Sequence, residues 1–217
     1  MSEPSLSEER QSAWQVVPFR TVTASGLRVH LRAVLPRDRA AIELGFQELS
    51  DRTRRLRFLT AHKFLSDDEL DAIVTHDGRS RFAIGVEIEN EDSAPSPAGV
   101  ARYVRSKEQP TEAEMGITIA DAFHGLGLGT LLIGTLAKQA AWSGIDTFTS
   151  LVSRDNPGMV HILKQLDSTF EPPQDGEMQA RTPLHVSSKP YPDTPTGQRI
   201  KDAYNLTTLV QLGRGSG

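Results

Sequence analysis

The chain has 217 residues, 24 Lys and Arg against 28 Asp and Glu, a formal net charge of −4 and no cysteine. That length suits one α/β domain with extensions, and the missing cysteines exclude disulfides, thiolate metal sites and a cysteine nucleophile. Mild acidity, with arginines clustered only at Arg52, Arg54, Arg55 and Arg57, argues against a nucleic-acid partner; no apolar run reaches membrane-spanning length and the opening residues lack a signal-peptide core, so a cytoplasmic location without a membrane partner is expected.

Residues 1–20 read as a flexible leader in which Trp14, Val16, Val17 and Phe19 are available to dock. Gly26 to Arg32 alternates as a strand, and Leu35-Pro36-Arg37-Asp38 then opens a helix containing Ala41, Ile42, Leu44 and Phe46. The run Leu49 to Phe58 follows, its arginines forming a solvated helix face or a patch for a partner or phosphate, with Leu56 and Phe58 turned inward. Phe82 to Ile88 and Ala98 to Val104 read as strands around a polar loop. In Glu112 to Asp121, Met115, Ile117 and Ile119 alternate with Gly116 and Thr118, the period of a half-buried strand. Thr147 to Val152 is another short strand, and Asn156 and Pro157 cap and open a helix running to Leu166. Ser168 to Leu184 turns at Asp175-Gly176 as a hairpin, and the tail from residue 186 carries Ile200, Tyr204, Leu206, Leu209 and Val210, which form a strap, a dimer contact or disordered chain.

Between the alternating strand and an apolar helix stands Asp121-Ala122-Phe123-His124-Gly125-Leu126-Gly127-Leu128-Gly129-Thr130. Glycines at alternate positions let successive N–H groups converge, and the helix behind them adds its own unpaired N–H groups and dipole. This is an anion cradle, most often for phosphate. The dinucleotide spacing G-x-G-x-x-G fails, since its third glycine falls on Thr130 or Leu132, and no P-loop triplet is present. The plainer alternative is an ordinary glycine-rich βα turn.

Gly-x-Gly-x-Gly behind a polar residue resembles the pyrophosphate motif of the GNAT acetyltransferases, Gln/Arg-x-x-Gly-x-Gly/Ala, with His124, Gly127 and Gly129 at its marked positions. Asn156 and Met159 match that family's Asn-x-x-Ala/Met pattern. Leu49-Ser50-Asp51-Arg52-Thr53 to Arg57-Phe58 resembles the Leu-Ser-x-x-Ser/Thr-x-x-x-Arg-Phe run in the GNAT domain of bacterial protein lysine acetyltransferases. That subfamily also places Ala-Glu where Ala113-Glu114 stands. The resemblance implies an α/β (α+β) GNAT fold over residues 21–185, a mixed central sheet flanked by helices, with the glycine loop between the fourth strand and the third main helix. A C-terminal extension, 186–217, is expected to be partly flexible.

The resemblance also implies a site. Acetyl-CoA is the expected co-substrate, its pyrophosphate held by His124, Gly125, Leu126, Gly127, Leu128, Gly129 and Thr130, its pantetheine arm by Ile117, Thr118 and Ile119, with Asn156 beside it. Glu114 is the candidate base, because an amine must lose a proton before attack, and Glu112 is its substitute. The tyrosine that many relatives use as acid falls at Leu163, and His161 is the nearest stand-in. The expected acceptor is a protein lysine or a small amine, and the expected assembly a monomer or homodimer. A non-catalytic acyl-CoA sensor is the alternative from another class. His30, His62, His76 and His185 have no ligand spacing, so no metal is expected, and no Gly-x-Ser-x-Gly elbow suggests a hydrolase.

Overall fold

A computed structural model describes residues 12–58, 64–90 and 93–212 of the chain. The strands are β1 (Trp14–Val16), β2 (Phe19–Val22), β3 (Arg28–Ala33), β4 (Arg81–Ile88), β5 (Ser96–Arg105), β6 (Glu112–Ile119), β7 (Thr147–Ser153), β8 (Thr169–Phe170), β9 (Glu177–Pro183) and β10 (Leu209–Gln211). The helices are α1 (Arg39–Glu48), α2 (Asp51–Phe58), α3 (Asp67–Val74), α4 (Leu128–Trp142), α5 (Pro157–Lys164) and α6 (Pro195–Leu206). Eight strands form one sheet in the order β2-β3-β4-β5-β6-β7-β9-β8, antiparallel throughout except for the parallel pair β6–β7. The sheet is therefore mixed, as expected.

Strand alternation divides the core in two. Leu31, Ile84, Tyr103 and Met115 share one face, on which α4 and α6 are layered. Val34 and Ala83 belong to the other, covered by Phe46 and Leu49 at the end of α1 and by Leu70, Ile73 and Val74 of α3. Helix α3 was not anticipated. Its signal is the capping box at Ser66 and Glu69: the Ser66 hydroxyl accepts from the Glu69 N–H at 3.3 Å, and the Glu69 carboxylate accepts from the Ser66 N–H at 2.8 Å. With β1, β2 and α3 counted, the glycine loop of this chain joins the sixth strand to the fourth helix.

Residues 12–20, expected in the leader, are built into the molecule. Trp14 sets its ring edge against Trp142, with centroids 5.3 Å apart. Its N–H donates to the Gly78 carbonyl at 3.0 Å, which also receives Gln139 Nε2 at 3.1 Å and the Ser143 hydroxyl at 2.9 Å. β1 pairs with β10, and β2 extends the main sheet beside β3. Residues 1–11 lie outside the described residues. Of the alternatives for the tail, the strap is what forms: α6 crosses α4 at Gly134, where a Cβ would stand 2.6 Å from the Ile200 carbonyl oxygen. Lys138 Nζ then donates to the Tyr204 and Thr207 carbonyls at 3.2 and 2.7 Å, tying down the end of α6. The hairpin turns where expected, with Asp175 and Gly176 at φ 49° and 84°. Leu56 is half-buried, and the side chain of Phe58 lies outside the described residues.

Candidate active site

The parallel pairing of β6 and β7 covers only Glu112↔Thr147, Ala113↔Phe148 and Glu114↔Thr149. Beyond Glu114, β6 continues to Ile119 bonded to β5, while β7 continues to Ser153 bonded to β9. Two strands that stop pairing but keep their outer neighbours open a V between them. The Ala120 N–H donates to Ala98 of the β5 side at 2.9 Å. By alternation the backbone groups of Thr118 also face β5, whereas those of Ile117 and Ile119 face the V. Ile117 and Ile119 thus turn backbone groups toward the V, the Ile119 carbonyl being met there by His124. Thr118 does not, because its backbone is used by β5; its side chain lines a cavity on the opposite sheet face.

The glycine loop closes the V. Gly125 and Gly127 have φ of 76° and 85°, a region that side-chain-bearing residues rarely adopt, and a Cβ on either would meet nothing within 4 Å. Gly127 is the N-cap of α4, and the first intrahelical bond is Leu131 N–H to Gly127 O at 3.2 Å. The N–H groups of Leu128, Gly129 and Thr130 therefore emerge from the helix end, where the dipole is positive. The side chains do other work. Leu128 is buried in the core, and the Thr130 hydroxyl returns to Gly127 O at 2.9 Å. Leu126 O accepts from Ser25 at 3.2 Å. A Cβ at Gly129 would lie 3.9 Å from Ile117 and from Ile162, so loop, β6 and α5 converge here. Free N–H groups, glycine-only torsions and an open strand edge fit a pyrophosphate with an extended amide-bearing arm.

His124 is exposed, and its Nε2 lies 2.9 Å from Ile119 O. A carbonyl only accepts, so that nitrogen carries the proton. Asn156 caps α5, its Oδ1 accepting from Met159 N–H at 3.1 Å. Three residues ahead of His124, Asp121 was missed by sequence reasoning as a site residue. Its carboxylate accepts from Ser50 N–H at 2.9 Å and from the Ser50 and Thr53 hydroxyls at 2.7 Å each. Desolvation opposes its ionisation, but the Ser50 N–H, the Thr53 and Ser50 hydroxyls and nearby His124 bring its pKa down to about 2. The Leu-Ser-x-x-Thr run is thereby a brace for the root of the glycine loop, and its Ser/Thr spacing is the one sequence signal that could have found it.

Glu114 is exposed on the strand face that carries Gly116 and Thr118, and among the described residues it has no hydrogen-bond or ion-pair partner. Glu112 is not equivalent, because Arg181 of β9 grips both its oxygens, one at 3.0 Å. Leu163 is buried in the core and His161 is exposed on α5. Gly116, Thr118 and Ala120 line a cavity whose far wall is α1 and whose apolar lining includes Val34, Phe46 and Val100. Glu114 sits one strand repeat outside that lining. The carboxylates that do line it, Asp38 and Glu87, are both held by Arg32, at 2.7 and 2.9 Å and at 2.6 Å. No group of three or more potential metal-binding side chains occurs among the described residues.

Comparison with known proteins agrees with this geometry. The acetyltransferase (GNAT) domain profile matches residues 28–169. Acetyltransferase Pat of Mycolicibacterium smegmatis is 28% identical over 165 residues, which are 76% of this chain and 48% of that protein. Acetyltransferase PA5475 of Pseudomonas aeruginosa is 31% identical over 134 residues, 62% of this chain and 71% of that protein. The chain spans about half the length of the Mycolicibacterium relative. The GNAT domain of S. lividans PAT superposes with a TM-score of 0.68 at 20% identity, covering 77% of this chain and 97% of that one. A spermidine N-acetyltransferase from Vibrio cholerae, in complex with CoA and spermine, gives 0.54 at 19% identity over 72% and 94%. Those two likenesses show the fold, and the profile extends across most of it: the chain belongs to the GNAT family of acetyltransferases, whose acyl donor is acetyl-CoA.

Proposed function

We propose that the protein transfers an acetyl group directly from acetyl-CoA to a primary amine, a protein lysine being the first reading of the acceptor. The observation that carries this is the V between β6 and β7, whose edge at Ile117 and the Ile119 N–H runs into the N–H groups at the start of α4. In the transfer an N–C bond forms as the C–S bond breaks. Of the two protons the ammonium loses, one passes through Glu114 to solvent and one ends on the CoA thiol. An N–H at Ile117 or Ile119 supplies hydrogen-bonding to the developing oxyanion. The lysine reading is supported by the Leu49 to Phe58 resemblance. A small amine is the second reading, favoured by the largely apolar cavity beneath α1.

Calorimetric titration of acetyl-CoA into the protein and into Gly127→Glu tests the donor site. Saturable binding that the variant loses is expected, since a side chain at φ 85° is strained and a carboxylate there repels phosphate. Absence of wild-type binding would remove the reading. Thiol release with protein substrates and with free amines then separates the acceptors; turnover on free amines alone would sink the lysine version.

A further inference from the structure

Arg102 has no assigned task, and its surroundings define one. It stands on β5 between Ala83 of β4 and Gly116 of β6, so the neighbours directly across on both sides are a methyl group and a hydrogen. It is half-buried and lines the cavity together with Val34, Phe46 and Val100. The cavity's other guanidinium, Arg32, is matched by Asp38 and Glu87. Arg102 is matched by nothing: among the described residues it makes no hydrogen bond and no ion pair. Its guanidinium nitrogens are not sealed off from solvent, so five N–H donors stand available at the cavity wall to whatever enters. The group that fits their planar fork is a carboxylate, taken in bidentate fashion.

The position of Arg102 says which carboxylate. Gly116, its direct partner, precedes Ile117 of the open edge and lies two residues from Glu114. We propose that Arg102 is a specificity residue that binds the carboxylate of a reactant at the transfer site, either an acyl chain that ends in one or an acceptor amine that bears one. The inference rests on the acyl-transfer reading above. The bonds made and broken are the same as for acetyl, and the carboxylate takes no part in them.

The test is a set of matched pairs assayed by thiol release in the wild type, Arg102→Met and Arg102→Lys. One pair is succinyl-CoA against acetyl-CoA with a single carboxylate-free amine. The other is an apolar amino acid against its amide, with acetyl-CoA. The wild type is expected to prefer the carboxylate member of one pair by about ten- to a hundredfold, the range of a charged hydrogen bond. The preference should be lost in Arg102→Met and partly kept in Arg102→Lys, and the pair that responds identifies the source. Equal turnover within both pairs overturns the inference and leaves the enzyme reading standing. So does an Arg102→Met variant that slows both members alike, which would make Arg102 a counter-ion of Glu114. If nothing turns over, thermal shifts with the same ligands decide independently of activity: stabilisation by the carboxylate member that Arg102→Met abolishes supports the inference, and equal shifts overturn it.

Discussion

Asp121 shows how much a single carboxylate can hold at this site. It joins the start of α2 to the root of the glycine loop through three accepted hydrogen bonds, and its pKa in the folded chain lies near 2, below the usual 3.8. A depressed folded pKa contributes stability that is fully present above the unfolded value and is lost as pH falls through the folded one. Asp121→Asn should therefore lower Tm and weaken acetyl-CoA binding at neutral pH. Its Tm deficit should shrink between about pH 4 and pH 2, where the wild type gives up the same interaction. Parallel melting curves across that range check the sign. Glu114 belongs to the same scale. A general base is worth about a hundredfold or more in rate, so Glu114→Gln should lower kcat by at least that while leaving acetyl-CoA affinity within about twofold. Unchanged turnover would take Glu114 out of the mechanism. Glu112→Gln tests the contrast, since its loss frees Arg181 rather than an acceptor amine.

Two elements carry further tests. Helix α3 is eight residues long and depends on its Ser66 cap. Ser66→Ala should cost about 1 kcal/mol in urea unfolding. Helix α4 is buried nearly all round, with α6 crossing it at Gly134. Alanine in a helix interior is ordinarily favoured over glycine by about 1 kcal/mol. Here the added Cβ would press on the Ile200 carbonyl and on Ala203 at 2.6 Å, and the backbone contact cannot swing aside. Gly134→Ala is expected to destabilise by about 1–3 kcal/mol despite its propensity. A gain in stability would mean that α6 docks less tightly than its contacts indicate.

Across the whole molecule, the two ends of the described chain are clasped in one small sheet. Val17 N–H donates to Thr208 O at 2.9 Å and Leu212 N–H to Ala13 O at 2.8 Å. In that register Gln15 and Val210 form a hydrogen-bonded pair. Val210 is 47% exposed, so Val210→Pro removes a ladder bond with little loss of packing. It should lower stability by about 1–3 kcal/mol and leave acetyl-CoA affinity unchanged, because the clasp lies on the α4–α6 side and not at the V. Equal losses in both would show that the clasp also positions α4.

Period-two alternation in β3 and β6, the apolar runs of β4, β5 and β7, the Asn156-Pro157 helix start and the glycine loop are local patterns, and each is legible in the sequence. The short strands β1, β2 and β10 were not, because three or four residues carry too little period and exist only through their partners. Helix α3 was legible in principle from Ser66-Asp67-Asp68-Glu69. The cradle could be named from Gly125, Gly127 and the helix behind them because torsion and dipole belong to the chain itself. The brace on Asp121 spans 71 residues, the Arg181 hold on Glu112 spans 69, and neither leaves a periodic trace. The same holds for the point where β6 and β7 part and for Arg102, whose isolation follows from Ala83 and Gly116 standing beside it. The sequence by itself determined the longer strands and helices of the core, the glycine loop and the family. The tertiary structure alone decided which side chains meet, since that depends on strand register between distant segments.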